Sequence, residues 1–517
     1  MAKVRNLLVI MGDQLTHESA VFDDFEAARD AVWMAEVDHE STRFWYHKQH
    51  LVVVLAAMRH FRQELADKGQ TVYYHELTAD KAADRGPDFP SILRQDVAKL
   101  KPDKLVMVRP GDYQVLHALR QAADGLNLTL ELRPDTHFYG SVADFRAYAE
   151  GKQRLRLEDF YRAMRQRHQI LMTADNQPVG GRWNFDAANR ESFKDDPGPI
   201  TGPHSFQTDE ITEAVINLVE QRFGDHPGRL ADFDLPVTHR QARTMLRDFV
   251  ERSLPHFGRY EDAMWTDQPF LYHSRLSCPL NLKLLSPKTC VEAAVQAYDA
   301  GRAPLNSVEG FVRQLLGWRE FVRGLYWLRM PEYAQQNYLA HDLGVPSFFW
   351  DGETDMACVR QAMQAVLKYG YTHHIQRLMV LGLLAQLLGV HPYKFHEWHM
   401  AMYLDAVDWV SLPNALGMSQ YGDGGLIGTK PYCASGNYIN KMSNYCQHCR
   451  YNYRQAVGET ACPFTTLYWD FLDRHFEKLK TNGRMNFQLK NLEKRRRDQA
   501  EMAAIRQQAA KLKQQWG

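Results

Sequence analysis

Leu7-Leu8-Val9-Ile10-Met11, stopped at once by Gly12-Asp13-Gln14-Leu15, decides how the first part of this chain folds. Five apolar residues in a row with no polar alternation, ended by a turn signal, read as a strand buried on both faces. Such strands belong to parallel sheets, so helical segments should separate this one from its neighbours. Val32–Val37 is a second apolar run, and Leu51–Leu65 carries Leu51, Leu55, Met58 and Leu65 at helical spacing. Thr71–Leu77, Leu105–Val108 and Leu128–Leu132 are further strand candidates. Residues 1–140 are therefore expected to form an α/β domain built on a doubly wound parallel sheet. No G-x-G-x-x-G and no G-x-x-x-x-G-K-[ST] follows the first strand, so an ordinary dinucleotide or triphosphate site has no support there.

Beyond residue 140 the pattern changes. Residues 141–235 hold the Gly-rich aromatic stretch Gly180-Gly181-Arg182-Trp183-Asn184-Phe185-Asp186 and the Pro- and Gly-rich Asp195–Pro203. They read as a long interdomain connection with some helix. Residues 236–517 are amphipathic and helical throughout, broken by Pro, Gly and Asn turns, and make a large all-α domain. Glu493–Gly517, rich in Lys, Arg and Gln, reads as a solvated helix or a frayed tail.

The 517 residues are 45% hydrophobic and 24% charged, an ordinary globular composition, and Lys+Arg balance Asp+Glu at 62 each. A zero formal charge gives no long-range attraction to DNA, so any nucleic-acid contact needs a local basic patch. The longest apolar run, Leu378–Val390, contains Gln386 and is too short to span a bilayer. A cytoplasmic monomer without membrane contact is expected.

All seven cysteines follow residue 270. Cys446-x-x-Cys449 is followed after twelve residues by Cys462. A C-x-x-C pair sets two thiolates at chelating distance on one turn, and two further ligands complete an all-sulfur site for Zn²⁺ or an iron–sulfur cluster. Spacing leaves the metal open, and the fourth ligand among Cys278, Cys290, Cys358, Cys433 and His448. A second concentration of polar groups runs from Arg259-Tyr260-Glu261-Asp262 through Ser274-Arg275-Leu276-Ser277 to Leu285-Ser286-Pro287. Hydroxyls and backbone N–H groups at helix starts can cradle phosphate, or simply cap helices.

In order, these strings resemble the flavin-binding half of the photolyase/cryptochrome family. The likeness continues through Glu309-Gly310-Phe311-Val312-Arg313-Gln314-Leu315-Leu316-Gly317-Trp318-Arg319-Glu320 and His373-His374-Ile375-Gln376-Arg377-Leu378-Met379. It runs on through Asp405, Asp408 and Leu412-Pro413-Asn414. The later Gly428-Thr429-Lys430-Pro431-Tyr432 and Ser435-Gly436-Asn437-Tyr438-Ile439-Asn440 resemble the prokaryotic iron–sulfur branch. The resemblance implies FAD held by Tyr260, Ser274, Leu276, Ser277, Gln314 and Trp318. Arg377 and Asp405 would be paired beside the flavin and Asn414 near its N5. It also implies a [4Fe–4S] cluster on Cys358, Cys446, Cys449 and Cys462. A 6,7-dimethyl-8-ribityllumazine antenna would sit near Asp13 and Glu40.

For this branch the implied activity is light-driven reversal of (6-4) pyrimidine photoproducts in DNA, by an electron from photoexcited reduced FAD. A hydroxyl must return between the two bases, which requires an acid, and His374 matches that position. Leu378 stands where eukaryotic (6-4) enzymes carry a second histidine, so their two-histidine scheme does not transfer. Tyr432 is a candidate partner for His374, and Trp398 and Trp350 fit an electron relay to the surface. The competing expectations are a cryptochrome photoreceptor with the same cofactors and no repair, and a nucleic-acid-binding module with structural zinc.

Overall fold

The computed structural model describes residues 4–152 and 154–517. The first strand, β1 (Asn6–Val9), is buried along its whole length, as a central strand must be. It pairs in parallel with β2 (Ala31–Ala35) through Leu8↔Val32. Outside β2 lies β3 (Val72–His75), and on the other side of β1 come β4 (Lys104–Val108) and β5 (Leu130–Arg133). The order β3-β2-β1-β4-β5 is the doubly wound parallel sheet expected, with every strand candidate in place. Winding reverses between β1 and β4, and the crevice beyond their carboxyl ends is where such sheets take ligands. That crevice is bounded by Gly12-Asp13 and by the loop Arg109–Asp112.

The helix Lys48–Asp67 packs on the sheet, and its Arg59 holds Glu36, just past β2, by two hydrogen bonds of 2.8 Å. Asp112 caps the helix Tyr113–Gly125, accepting from the backbone N–H of Gln114 at 2.6 Å. Because that cap closes the loop after β4, helix initiation also shapes the crevice.

Among the described residues, 141–235 contain three α-helices, Val142–Ala149, Leu157–His168 and Glu210–Arg222. The last is tied to the α/β part by Arg222, which bridges Asp38 and Asp84. The first packs the other way. Phe145 lies so close to Gly324 in the helix Glu320–Arg329 that a Cβ there would sit 2.1 Å from its ring. The remainder of the chain is helical, and among the described residues no helix is long and apolar enough to cross a membrane. Helix geometry widens to π turns at Phe249–Ser253, Arg313–Arg319, Arg377–Gly382 and Pro413–Ser419.

The C-terminal tail departs from expectation. The helix Gln499–Trp516 is regular and docked, with Met502, Ile505 and Ala509 buried. Arg506 reaches Asp473, Lys513 reaches Asp470, and Trp516 packs edge-on against Phe348 at 5.3 Å. Spread one per turn among charged residues, its few apolar side chains are easy to overlook in composition, yet they fall on one face.

Candidate functional site

The helical part gathers its polar residues around Arg377. Its Nε donates to the Thr372 carbonyl at 2.8 Å, Nη1 donates to Asp405 at 2.9 Å, and the guanidinium lies 3.9 Å over the Tyr403 ring. Burial disfavours the Asp405 carboxylate, but Arg377 and the Ser277 hydroxyl outweigh it and hold its pKa below the usual carboxylate range. The pair stays partly accessible, at 17% and 13%. Asn281 Nδ2 donates to the Asp405 backbone carbonyl at 2.7 Å, tying the Ser277–Asn281 turn to the same corner.

His374 opens the short helix that leads into the Arg377 π turn. Solvent reaches its imidazole, yet burial first and Arg377 second pull its pKa down to about 4. Accessible and enclosed together describe a side chain lining a recess. Beside it His373 is buried and stacks on His273 at 4.4 Å and 9°, with neither ring nitrogen bonded to the protein. Arg275 holds Asp234 at 2.9 Å and keeps two buried nitrogens without protein partners.

Gln314, Trp318, Arg377 and Asn414 all lie within π turns and are all partly exposed. A π turn inserts one residue per turn and rotates side chains off the regular face, a distortion common at functional sites. Tyr260 is flanked by Phe193, stacked at 4.3 Å, and by Tyr272 at 5.7 Å. Ser274 is half-buried, whereas Leu276 is 1% exposed.

The sequence assigned no role of their own to Glu261 and Asp262, the two residues that follow Tyr260. Gln314 Nε2 donates to Glu261 at 3.2 Å, and burial, then Asp262 and Asp186 against the pull of Arg313, pushes the Glu261 carboxyl up to about 7. Burial raises Asp262 too, opposed by Arg190. Tyr432 keeps this company: its hydroxyl is raised by burial and Asp186, while Arg190 and Arg484 pull it down. The only sequence signal for this acidic group was adjacency to Tyr260.

An aromatic path leaves the Arg377 corner. Tyr403, beneath the guanidinium, is 5.7 Å from Trp398. Buried Trp398 donates from Nε1 to the Phe349 carbonyl at 2.7 Å, and the next residue, Trp350, lies 5.7 Å from the exposed Trp45.

Cys358, Cys446, Cys449 and Cys462 line one apolar cavity with Met356, Ile439, Tyr445 and Phe464. All are free thiols, and burial followed by the other three sulfurs raises Cys358 far above its usual value. Cys278, Cys290 and Cys433 lie outside this cavity. Among the described residues, no three of the four sulfurs lie within 4.8 Å of one another. Four thiolates on one zinc ion, with Zn–S ≈ 2.3 Å, would stand about 3.8 Å apart.

In the α/β crevice Asp13 accepts from the Gly111 backbone N–H at 2.6 Å, and burial raises its carboxyl against the pull of Lys283. Glu40 is half-buried, 3.2 Å from His39, and with Asp408 and burial it raises Asp112 at the same loop. The two residues thus border one loop, after β4.

A parallel-sheet domain joined to a helical domain whose polar residues gather around Arg377, with an aromatic path leading outward, fits the photolyase/cryptochrome class. Residues 8–235 match the family model described as deoxyribodipyrimidine photo-lyase-related protein. The chain is 42% identical over 480 residues to the (6-4) photolyase of Agrobacterium fabrum (strain C58 / ATCC 33970), covering 93% of this chain and 94% of that one. It therefore belongs to the photolyase family, together with that bacterial protein. Two solved structures share the fold. One is a bacterial class III photolyase from Agrobacterium tumefaciens, with TM-score 0.54 and 16% identity over 86% of this chain and 87% of that one. The other is the Synechocystis sp. PCC6803 cryptochrome, with TM-score 0.53 and 13% identity over 86% and 89%.

Proposed function

We infer that this protein is a light-driven DNA repair enzyme that restores (6-4) pyrimidine photoproducts. The observation that carries the inference is the 42% identity, over nearly the whole of both chains, to a (6-4) photolyase. The recess built on His374, Arg377 and Asp405 supports it with suitable chemistry. FAD bound there would supply the photoexcited electron. Tyr260, Ser274, the Leu276 backbone, Ser277, Gln314, Trp318 and Asn414 are the residues that would hold it, and the unbonded nitrogens of Arg275 and His373 suit a polar, anionic guest. Arg377, pinned by Asp405, presents a fixed positive charge that favours an anionic ring.

His374 is the proton donor in this reading. At a pKa of about 4 it is neutral near pH 7 in the free protein. A phosphodiester of the bound strand lying beside the imidazole would raise that pKa toward the ordinary value, so DNA binding itself would arm the acid. The flipped lesion costs only a few kcal/mol to extrude, because a damaged base is poorly stacked. Trp398 and Trp350 serve as the electron path between the recess and the surface.

The four cysteines, gathered on one apolar cavity, would hold the [4Fe–4S] cluster that their resemblance to the iron–sulfur branch implies. The crevice at Asp13 and Glu40 takes the lumazine antenna, at the reversal point where an open sheet accepts a planar ligand. Protein expressed with lumazine available should release that chromophore alongside FAD on denaturation; FAD alone would refute the antenna.

The deciding experiment illuminates reduced protein with an oligonucleotide carrying one (6-4) lesion. Restoration of the two pyrimidines in light and not in darkness is expected. Photoreduction without restoration, under every buffer and divalent-ion condition, would mean a photoreceptor instead.

A further inference from the structure

Outside the recess, the crevice and the cysteine cavity, one more cluster among the described residues has ligand chemistry. His17, in the loop after β1, faces Glu64 of the helix Lys48–Asp67 at 2.7 Å, Nε2 to Oε2. His239, the first residue of the helix His239–Asp248, brings Nδ1 to 3.3 Å from the same oxygen. One ligand atom from each residue lies within 4.8 Å of the other two. The imidazoles stack at 5.3 Å and both rest on Phe61, His17 at 4.8 Å and His239 at 6.1 Å, so their planes are held before any ion arrives.

We propose that His17, Glu64 and His239 bind one divalent transition-metal ion of the zinc class, clasping the first-strand loop and the helix Lys48–Asp67 to the start of the helical region. Two imidazole nitrogens and one carboxylate oxygen match zinc and its borderline neighbours, whereas Mg²⁺ and Ca²⁺ want oxygen alone. Donors about 2.0–2.2 Å from one tetrahedral ion stand about 3.4 Å apart. His239 is already near that spacing from Glu64, and a small rotation of the carboxylate brings His17 to it. The side chains are 27%, 34% and 16% exposed, so an ion can enter and water can fill the remaining position. His239 Nε2 has no protein partner, so no second-side hydrogen bond commits its tautomer, and Nδ1 can offer a lone pair. The three ligands come from separate elements, so an ion bound only in the folded state adds stability in proportion to its occupancy.

The test uses full-length protein as isolated, cofactors in place and without an affinity tag, stripped of loose metal by chelator. Titration with Zn²⁺ in a calorimeter should show one equivalent taken up, with a rise in the thermal unfolding midpoint. Co²⁺ should give the visible bands of a nitrogen–oxygen site without thiolate charge transfer. His17→Gln, His239→Gln and the near-isosteric Glu64→Gln should each weaken binding by more than the roughly 10–100-fold that loss of an outer-shell partner costs, and abolish the midpoint shift. The proposal is overturned if wild-type protein takes up no Zn²⁺ at millimolar concentration. It is equally overturned if the three variants bind Zn²⁺ like the wild type, or if Co²⁺ reports thiolate ligation.

Discussion

His374 concentrates the chemistry of this molecule in one side chain. Its identity and its spacing from Arg377, one helical turn away, were legible in the sequence through the family resemblance. Its pKa was not, because that depends on how deeply the imidazole is enclosed and how near the guanidinium comes. The same gap explains Glu261, whose pKa of about 7 arises from burial beside its neighbour Asp262 and beside Asp186, which comes from a distant segment. Replacing His374 with Ala removes the proton donor without touching Asp405, Ser277 or Gln314. FAD content and photoreduction should stay near wild type while (6-4) repair falls by about 10²–10⁴-fold, the usual worth of general acid–base assistance. Steady-state repair on a defined oligonucleotide measures this; a variant repairing at the wild-type rate would remove His374 from the mechanism.

At the scale of elements, the sheet was readable because buried parallel strands are written as unbroken apolar runs. The π turns were not, since no residue pattern marks where a helix must widen; tertiary packing imposes it. Gln314, Trp318, Arg377 and Asn414 were therefore found by resemblance and owe their shared geometry to a feature invisible in periodicity. The cysteine cavity shows the opposite balance. Cys446, Cys449 and Cys462 were evident from spacing, while Cys358, 88 residues before Cys446, needed the resemblance, and the cavity then brought all four together. Four elements converge on that cavity: the helix Ala357–Tyr369, the helix Gly436–Met442, the turn Tyr445–His448 and the helix Pro463–Arg474. Purified protein should contain about four iron and four sulfide per chain. Cys358→Ser, at the buried corner, should lose both and lower the unfolding midpoint, read by metal analysis and thermal melting. Stoichiometric zinc without sulfide would overturn the cluster.

At the scale of the whole molecule, the α/β and helical parts depend on each other through His47, a residue nothing in the sequence singled out. Its ring is fully buried at the start of the helix Lys48–Asp67. Nδ1 accepts from the Gln49 backbone N–H at 3.2 Å, acting as the helix cap, and Nε2 donates to the Leu367 carbonyl at 3.0 Å across the domain boundary. Those two bonds define one neutral tautomer, and a second proton would destroy the cap. Burial accordingly lowers its pKa to about 4. The sign of the consequence follows from linkage. Between the unfolded value of about 6.5 and the folded value, the unfolded chain takes a proton that the folded chain refuses, so stability falls as pH falls. The loss approaches about 1.4 kcal/mol per pH unit for this one group, roughly 3 kcal/mol in all by pH 4, and then levels off. Above pH 6.5 the group contributes no slope. His47→Asn keeps a capping oxygen and carries no titratable proton, so the variant should lose part of the acid sensitivity while remaining folded at neutral pH. Urea unfolding of the holoprotein from pH 7.5 to 4.5 measures both. The expected result is a shallower decline in midpoint for the variant across pH 6.5–4.5 and parallel behaviour above it. Identical slopes in the two proteins would show that His47 is not what couples the domains to pH.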